Sequence, residues 1–294
     1  MKVALMSLIA LVCCFGAKTS FTRRISLKTR PTTRASGNSR SILSRVFSRM
    51  RGGFPMKTDS KLQAKGDCNT LTTLVEEVRN LLSVHPPKTL ASGSTDARKL
   101  LEPITKILQD VTAKEINLEV PVIPERFPRR ALGYIPVWEQ EDFEIGIFAF
   151  PPGAVIPLHD HPGMFVLSHV LYGSITVKSY DIDHETGETR RKETRLLKES
   201  ESSLLFEHDR NIHEFTAGED GCAVLDILAP PYDHDNGRGC TYYTAEETEM
   251  KTETGNKKSS IILRRCPQPQ WFTTYRIPTK MDKVDETYLI KQLK

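Results

Sequence analysis

The sequence lacks the cysteine patterns that mark disulfide-rich chains. Six cysteines are present among 294 residues, and no two of them form a CxxC pair. Cys13 and Cys14 lie near the N terminus, and the others are scattered widely at positions 68, 222, 240 and 266. Such spacing offers no compact disulfide framework. We therefore expect free thiols and a reducing compartment for the mature protein.

Acidic residues are absent before Asp59, whereas eight arginines fall between Arg23 and Arg51. The whole chain has a net charge of +4 because this first segment is strongly basic, and the rest of the chain is net acidic. A basic face that could bind a nucleic acid is not expected on the folded part of such a chain. No later run of residues is long and apolar enough to suggest stable membrane insertion.

Residues 1–58 have the character of a targeting leader rather than of a folded segment. The apolar run Val3–Phe15 is typical of a secretory signal and is too short for a transmembrane helix. The Arg- and Ser-rich segment Lys18–Lys57 resembles an organellar transit peptide. The two parts in series would suit import into a plastid, and the whole segment could instead be mitochondrial. The alternative is that the N-terminal segment carries no targeting signal and that the protein is cytoplasmic.

Residues 59–122 are predicted to form a helical extension. Apolar residues recur at helical spacing in Thr70–Val84 and again in Ala97–Ala113, where Ser94–Asp96 offers an N-terminal cap. The prolines and glycine between them separate the two segments. Both are interpreted as amphipathic helices that pack against the rest of the domain.

Residues 123–265 change to short, frequent strands punctuated by Gly, Pro, Asp and Asn. This rhythm favours a barrel or jelly roll over alternating strands and helices. The predicted strands are Tyr134–Trp138, Phe143–Phe150, Met164–Leu171, Ser174–Tyr180, Ser203–Phe206, Cys222–Leu228, Cys240–Tyr243 and Ser260–Leu263. Asp183–Ser200 is too polar for a core strand and is interpreted as a solvated hairpin or excursion. In residues 266–294, Trp271, Phe272 and Tyr275 are expected to pack the C-terminal segment on the barrel.

Two histidines one residue apart are the strongest functional signal. Alternate strand residues share a face, so His159 and His161 are expected to point the same way, with His213 as the third ligand. The spacing from Gly153 to Gly173 matches the motif G(X)5HXH(X)4E(X)6G of cupins. The predicted fold is therefore mainly β, a cupin double-stranded β-helix (jelly roll) with N-terminal amphipathic helices.

The glutamate position of that motif is Val166, which cannot bind a metal. A metal held here would have three neutral imidazoles and no carboxylate. Non-haem iron oxygenases more often use two histidines and one carboxylate. Replacing the carboxylate by histidine leaves Fe(II) with both positive charges, which favours binding of a thiolate.

Several segments together resemble the thiol dioxygenases of the 2-aminoethanethiol (cysteamine) dioxygenase and plant cysteine oxidase family. These segments are Ile156–Met164, Val170–Ser174, Asn211–His213, Leu225–Asp233 and Gly237–Tyr243. The resemblance implies an Fe(II) cupin whose ligands are His159, His161 and His213. It also implies a reaction that adds both atoms of O2 to a thiol to give a sulfinic acid. The implied substrates are cysteamine or the N-terminal cysteine of a protein, with a possible place in oxygen sensing, and we expect a monomer.

Four further residues are candidates near this site. Asp226 lies in an apolar strand, where it could orient a ligand histidine, receive a substrate amine, or make a structural hydrogen bond. The resemblance places Tyr232 at the substrate entrance. It also raises a thioether crosslink between Cys240 and Tyr242, with an ordinary buried thiol as the alternative.

Two other functions fit the same histidines. A cupin that binds another divalent metal could act as an isomerase or a hydrolytic enzyme. A cupin without catalytic activity could bind or sense a ligand. Metal content, oxygen consumption and turnover of small thiols separate these functions from thiol oxidation.

Overall fold

The structure, a computed structural model, describes residues 69–123, 127–183, 186–251 and 257–291. The predicted leader, residues 1–58, lies outside the described residues. Within the described ranges, no helix is both long enough and apolar enough to cross a membrane.

The chain forms helices at both ends of the described region and strands between them. The helices are α1 (Thr70–Val84), α2 (Pro87–Ala91), α3 (Thr95–Asp110) and α4 (Glu286–Lys291), with a 3-10 turn at His234–Asn236. The strands are β1 (Ala131–Glu139), β2 (Glu144–Phe150), β3 (Val155–His159), β4 (Phe165–Ile182), β5 (Thr189–Lys198), β6 (Ser202–Leu205), β7 (Ile212–Ala229), β8 (Tyr242–Lys251), β9 (Lys257–Cys266) and β10 (Thr273–Arg276).

The two predicted helices of the extension are present, and each begins at a side-chain cap. Asn69 Oδ1 accepts a hydrogen bond from the backbone N–H of Thr72 at 2.9 Å, and Ser94 Oγ accepts one from Ala97 at 3.1 Å. The buried faces of α1 and α3 belong to the same apolar cluster as Leu225 on β7. The extension and the barrel therefore share one core.

The strands close into a barrel, as the sequence predicted. The closed ring runs β7-β3-β8-β9-β5-β4 and returns to β7, and every pairing in it is antiparallel. β2 and β1 extend the sheet beyond β7, and β6 pairs with β4. The mainly β, cupin-type barrel with N-terminal helices is confirmed.

Two long strands, β4 and β7, make up most of the barrel. The sequence predicted two separate strands, Met164–Leu171 and Ser174–Tyr180. The structure has one bent strand, β4, because register shifts at the bend preserve its pairing with β7. Gly173 lies at this bend with φ of +75°, and a Cβ there would lie 2.1 Å from the Gly221 carbonyl oxygen. The motif glycine is therefore required by both conformation and close approach.

Of the two forms predicted for the polar segment Asp183–Ser200, a solvated hairpin or an excursion, the structure has the hairpin. Most of it is β5, a strand of the barrel that pairs antiparallel with β4 over residues 189–198. Leu197 is the buried residue of this strand, and most of its described neighbours are exposed. A strand with one solvated face can be this polar, because only its inward positions need apolar side chains.

Of the three aromatics expected to pack the C-terminal segment on the barrel, Phe272 is buried, whereas Trp271 and Tyr275 are exposed. Ile277 and Leu289 are buried as well. β10 lies parallel to β1, with Ala131 opposite Thr273. The segment therefore adds an edge strand to the sheet.

His169 links the helical extension to the barrel. Its Nε2–H donates to the Val111 carbonyl oxygen at 2.9 Å, and its Nδ1 lies 2.8 Å from Ser202 Oγ. The side chain is fully buried, and burial lowers the pKa of the imidazole. Its role is therefore structural.

The variant His169→Ala is expected to destabilise the protein by about 2–3 kcal/mol, because it leaves a buried carbonyl and a hydroxyl without this partner and opens a cavity. Urea unfolding followed by circular dichroism measures the effect. His208→Ala, at an exposed histidine, is the matched control. Equal stability of the two variants would contradict the structural role of His169.

Candidate active site

The three predicted metal ligands meet at one end of β3. His159 is the last residue of β3 and pairs across strands with His213 near the start of β7. His161 lies two residues beyond the end of β3, so the expectation that it shares a strand face with His159 was wrong. The turn that follows β3 brings it to the same place. The three ring centroids are 4.8–4.9 Å apart in every pair.

The ring nitrogens are oriented so that Nε2 atoms converge. His159 Nδ1–H donates to the Pro157 carbonyl oxygen at 2.8 Å, which leaves its Nε2 lone pair available. The Nε2 atoms of His161 and His213 are 3.1 Å apart. The three candidate ligand atoms all lie within 4.8 Å of one another.

Tyr232 fixes the tautomer of His161. Its hydroxyl donates to the Asp160 carbonyl oxygen at 2.7 Å, so it accepts from His161 Nδ1–H at 2.8 Å. This second bond holds the proton of His161 on Nδ1 and leaves Nε2 as the metal-binding atom. Tyr232, which the sequence placed at the substrate entrance, therefore also contacts a ligand directly.

Burial keeps the three imidazoles neutral. All three histidines are buried, and desolvation lowers the pKa of each, most strongly for His161 and His213. Neutral imidazole is the form that binds a metal. Two nitrogens each about 2.1 Å from one ion and at right angles would be about 3.0 Å apart, close to the 3.1 Å between the Nε2 atoms of His161 and His213. The three histidines therefore fit a single divalent metal ion.

Among the residues that the structure describes, these three histidines form the group with metal-binding spacing, and no carboxylate belongs to it. Val166, at the glutamate position of the motif, lies in a separate apolar cluster with Met164, Leu205 and Leu228. The fold therefore brings together the three imidazoles that the sequence singled out.

Two residues that were not candidates from the sequence, Asn211 and Asp160, hold the turn between His159 and His161 in place. Asn211 Oδ1 accepts from the His161 backbone N–H at 3.0 Å, and Asn211 Nδ2 donates to the His161 carbonyl at 2.7 Å. Asp160 accepts from the Thr241 backbone N–H and from the Tyr243 hydroxyl. The sequence feature that could have pointed to Asn211 is its place two residues before His213. Its hydrogen bonds to His161 could not be predicted, because they depend on the geometry of the turn after β3.

The histidines lie in the wall of a pocket that is partly open to solvent. All four other predicted residues line the same pocket: Asp226, Tyr232, Cys240 and Tyr242. Apolar and aromatic side chains form much of the remaining wall, among them Phe148, Ile156 and Phe215. Glu144, which the sequence analysis did not single out, lines it as well.

Asp226 is a buried carboxyl in this wall. The residue is 7 % exposed, and its Oδ1 has no hydrogen-bond partner among the described residues. Burial raises the pKa of Asp226 to about 7; the Ser168 hydroxyl, bonded to the carboxyl, opposes this rise, and the charge of Glu144 adds to it. A buried acceptor without a partner carries a desolvation cost, which a bound cation would relieve.

Cys240 and Tyr242 both reach the pocket. β8 begins at Tyr242, so Cys240 precedes the strand instead of lying on it. The side chain of Cys240 is partly buried, and the Tyr242 ring centroid is 6.3 Å from that of His159. The thioether between the two residues stays a prediction.

The family model PCO_ADO matches residues 107–284, well over half of the chain. The chain belongs to the PCO_ADO family. This confirms the family that the sequence segments resembled, and the match includes all three histidines together with Asp226 and Tyr232.

Three curated relatives give the extent of the similarity. The chain is 36% identical over 153 residues to the "Probable 2-aminoethanethiol dioxygenase" of Dictyostelium discoideum, covering 49% of this chain and 70% of the relative. It is 36% identical over 168 residues to "Plant cysteine oxidase 1" of Arabidopsis thaliana, and this match covers 51% of this chain and 57% of the relative. It is 30% identical over 193 residues to the "2-aminoethanethiol dioxygenase" of Homo sapiens, and this match covers 55% of this chain and 71% of the relative.

Among solved structures, an RmlC-like cupin from Desulfovibrio desulfuricans aligns with 38% of this chain and 95% of its own length. The identity is 20% and the TM-score is 0.29.

Replacing any one of His159, His161 or His213 with Ala is expected to reduce bound divalent metal to near zero, because two imidazoles alone hold an ion weakly. Metal content per protein, measured by mass spectrometry after gel filtration, reports this effect. Circular dichroism should show an intact barrel in each variant. His208→Ala is the control and should keep the wild-type metal content; full metal content in His213→Ala would remove that residue from the ligand set.

The variant Tyr232→Phe is expected to weaken metal affinity by about tenfold or more, because it removes the hydroxyl that accepts from His161 Nδ1–H. Competition with a chelator measures the dissociation constant. Tyr275→Phe, at an exposed tyrosine outside the pocket, supplies the comparison. An unchanged dissociation constant in Tyr232→Phe would show that the hydrogen bonds between Asn211 and the His161 backbone are sufficient to orient His161.

Proposed function

We propose that this protein is an Fe(II)-dependent thiol dioxygenase. It would convert cysteamine or the N-terminal cysteine of a protein, together with O2, to the corresponding sulfinic acid. The observation that carries the proposal is a set of three buried, neutral histidines in the wall of a pocket, with no carboxylate among them, in a chain of the PCO_ADO family.

The three histidines would hold the iron through Nε2. Fe(II), when bound, would supply open positions for the thiolate and O2 and the electron that activates oxygen. Three neutral ligands leave the full charge of the ion to favour the thiolate. The aromatic and aliphatic wall of Phe148, Ile156 and Phe215 would exclude water from the sulfur.

The overall reaction takes up both oxygen atoms: RSH + O2 gives RSO2H. The sulfur loses four electrons, and the two oxygen atoms accept them, so no further reductant is needed. Sulfinic acids are not readily reduced again. Oxidation of a protein N terminus would therefore be a one-way modification, and its rate would depend on O2, which suits an oxygen sensor.

Asp226 would receive the amine of the substrate. Both proposed substrates carry an ammonium group two carbons from the sulfur, and Oδ1 of Asp226 is a buried acceptor without a partner in the same pocket. An ammonium group there would form a charge-assisted hydrogen bond. The amine and the thiolate would then be held at two separate points of the pocket, which fixes the position of the sulfur.

The proposal is tested by loading the metal-free protein with Fe(II) under anaerobic conditions and then admitting O2. Cysteamine and a peptide with an N-terminal cysteine are offered separately, with the N-acetylated peptide as the matched control. We expect one O2 consumed for each sulfinic acid formed, as seen by mass spectrometry. Turnover of neither thiol by the iron form would contradict the proposal. The zinc form should produce no sulfinic acid, because zinc cannot pass an electron to O2.

The variant Asp226→Asn is expected to lower kcat/KM for cysteamine by about 10- to 100-fold per bound iron, because it keeps the shape but removes the charge that holds the amine. Thermal stability should not fall, because an amide needs less solvation than a buried carboxylate. Asp220→Asn, at an exposed position of β7, is the control. Lower stability with an unchanged rate would assign Asp226 a structural role.

A further inference from the structure

Glu144 places a second carboxyl group in the same pocket. It is the first residue of β2 and lines the cavity together with Asp226 and the three histidines. Among the described residues, no lysine or arginine lines this pocket. The titratable groups of the wall are therefore neutral imidazoles, tyrosines, a thiol and two carboxyls. Such a wall favours a positively charged ligand over a neutral or negative one.

The register of β2 and β7 brings the two carboxyls onto one face. Gly146 lies directly opposite Asp226, and Glu144 is two residues from Gly146 on the same side of β2. Glu144 and Asp226 are thus diagonal neighbours across the two strands, within reach of each other's side chains. The missing side chain of Gly146 gives room to the ring of Tyr134, since a Cβ there would lie 2.4 Å from its Cε2.

The two carboxyls repel each other when both are ionised. Burial is the main cause that raises the pKa of Glu144 to about 7, and the charge of Glu139 on the neighbouring strand adds to it. Asp226 has the same raised pKa, to which Glu144 contributes. In addition, Oδ1 of Asp226 has no hydrogen-bond partner among the described residues. A cation between the two carboxyls would bond to this oxygen and offset the repulsion between them.

We propose that Glu144 acts with Asp226 to bind the ammonium group of the substrate, and that Glu144 sets the preference for cationic thiols. The inference rests on the proposed function, because it assumes that the pocket receives a thiol. An ammonium group has three N–H donors, so it can bond to Asp226 Oδ1 and to the Glu144 carboxylate at the same time. A thiol with a carboxylate beside the sulfur would meet two like charges in this pocket.

The test compares ligand binding and turnover in wild type and Glu144→Gln. Isothermal titration under anaerobic conditions, with the iron-loaded protein, measures binding of cysteamine, 2-mercaptoethanol and 3-mercaptopropionate without turnover. In the variant we expect cysteamine to bind about tenfold more weakly or worse, 2-mercaptoethanol to bind as before, and 3-mercaptopropionate to bind more tightly. Glu141→Gln, at an exposed position outside the pocket lining, removes the same charge and should change none of the three.

A second readout needs neither metal nor substrate. Because Glu144→Gln removes one of two neighbouring buried charges, the metal-free variant should have a higher melting temperature than wild type at pH 8. An equal change in affinity for all three thiols, or unchanged cysteamine binding, would overturn the role of Glu144. If the cysteamine preference is lost in Glu144→Gln but wild type oxidises no thiol, the charge selectivity stands and the proposed dioxygenase function fails.

Discussion

The convergence of three neutral imidazole Nε2 atoms is the constraint on which this site depends. Three histidines can be buried side by side only while they are uncharged, and desolvation lowers the pKa of each. Their second nitrogens must then be bonded so that each lone pair points inward. The Pro157 carbonyl does this for His159, and the Tyr232 hydroxyl does it for His161.

The rest of the fold provides this arrangement. Pairing of β3 with β7 places His159 opposite His213, and the amide of Asn211 holds the backbone of His161 against the start of β7. Asp160 ties the same turn to Thr241 and Tyr243 near the start of β8. The site therefore sits where three elements meet, and hydrogen bonds to Nδ1 orient two of its ligands, His159 and His161.

The pocket lining contains two chemically different kinds of polar group. These are the neutral nitrogen donors of the three histidines and the carboxyls of Asp226 and Glu144, and apolar side chains form much of the rest. A small molecule with a soft sulfur at one end and an ammonium at the other matches this combination. The same combination would disfavour thiols that carry a carboxylate, since no cationic side chain of the described residues lines the pocket.

Much of the site could be predicted from the sequence, because two of its ligands, His159 and His161, follow a short local spacing. His213 was taken as the distant histidine that follows this motif in cupins, and Asp226 was noticed as a charge in an apolar strand. Glu144 was missed because its role arises from the register of β2 with β7, which the local pattern does not encode. The polarity of β5 likewise hid a barrel strand, since its solvated face outweighs its single buried leucine.

The most direct test of the central claim is the origin of the oxygen atoms in the product. The iron-loaded protein is given cysteamine and 18O2 in unlabelled water, and the product is analysed by mass spectrometry. The account predicts a sulfinic acid in which both oxygen atoms are 18O. A product with no labelled oxygen, or one whose atoms come from O2 and water in equal number, would contradict it.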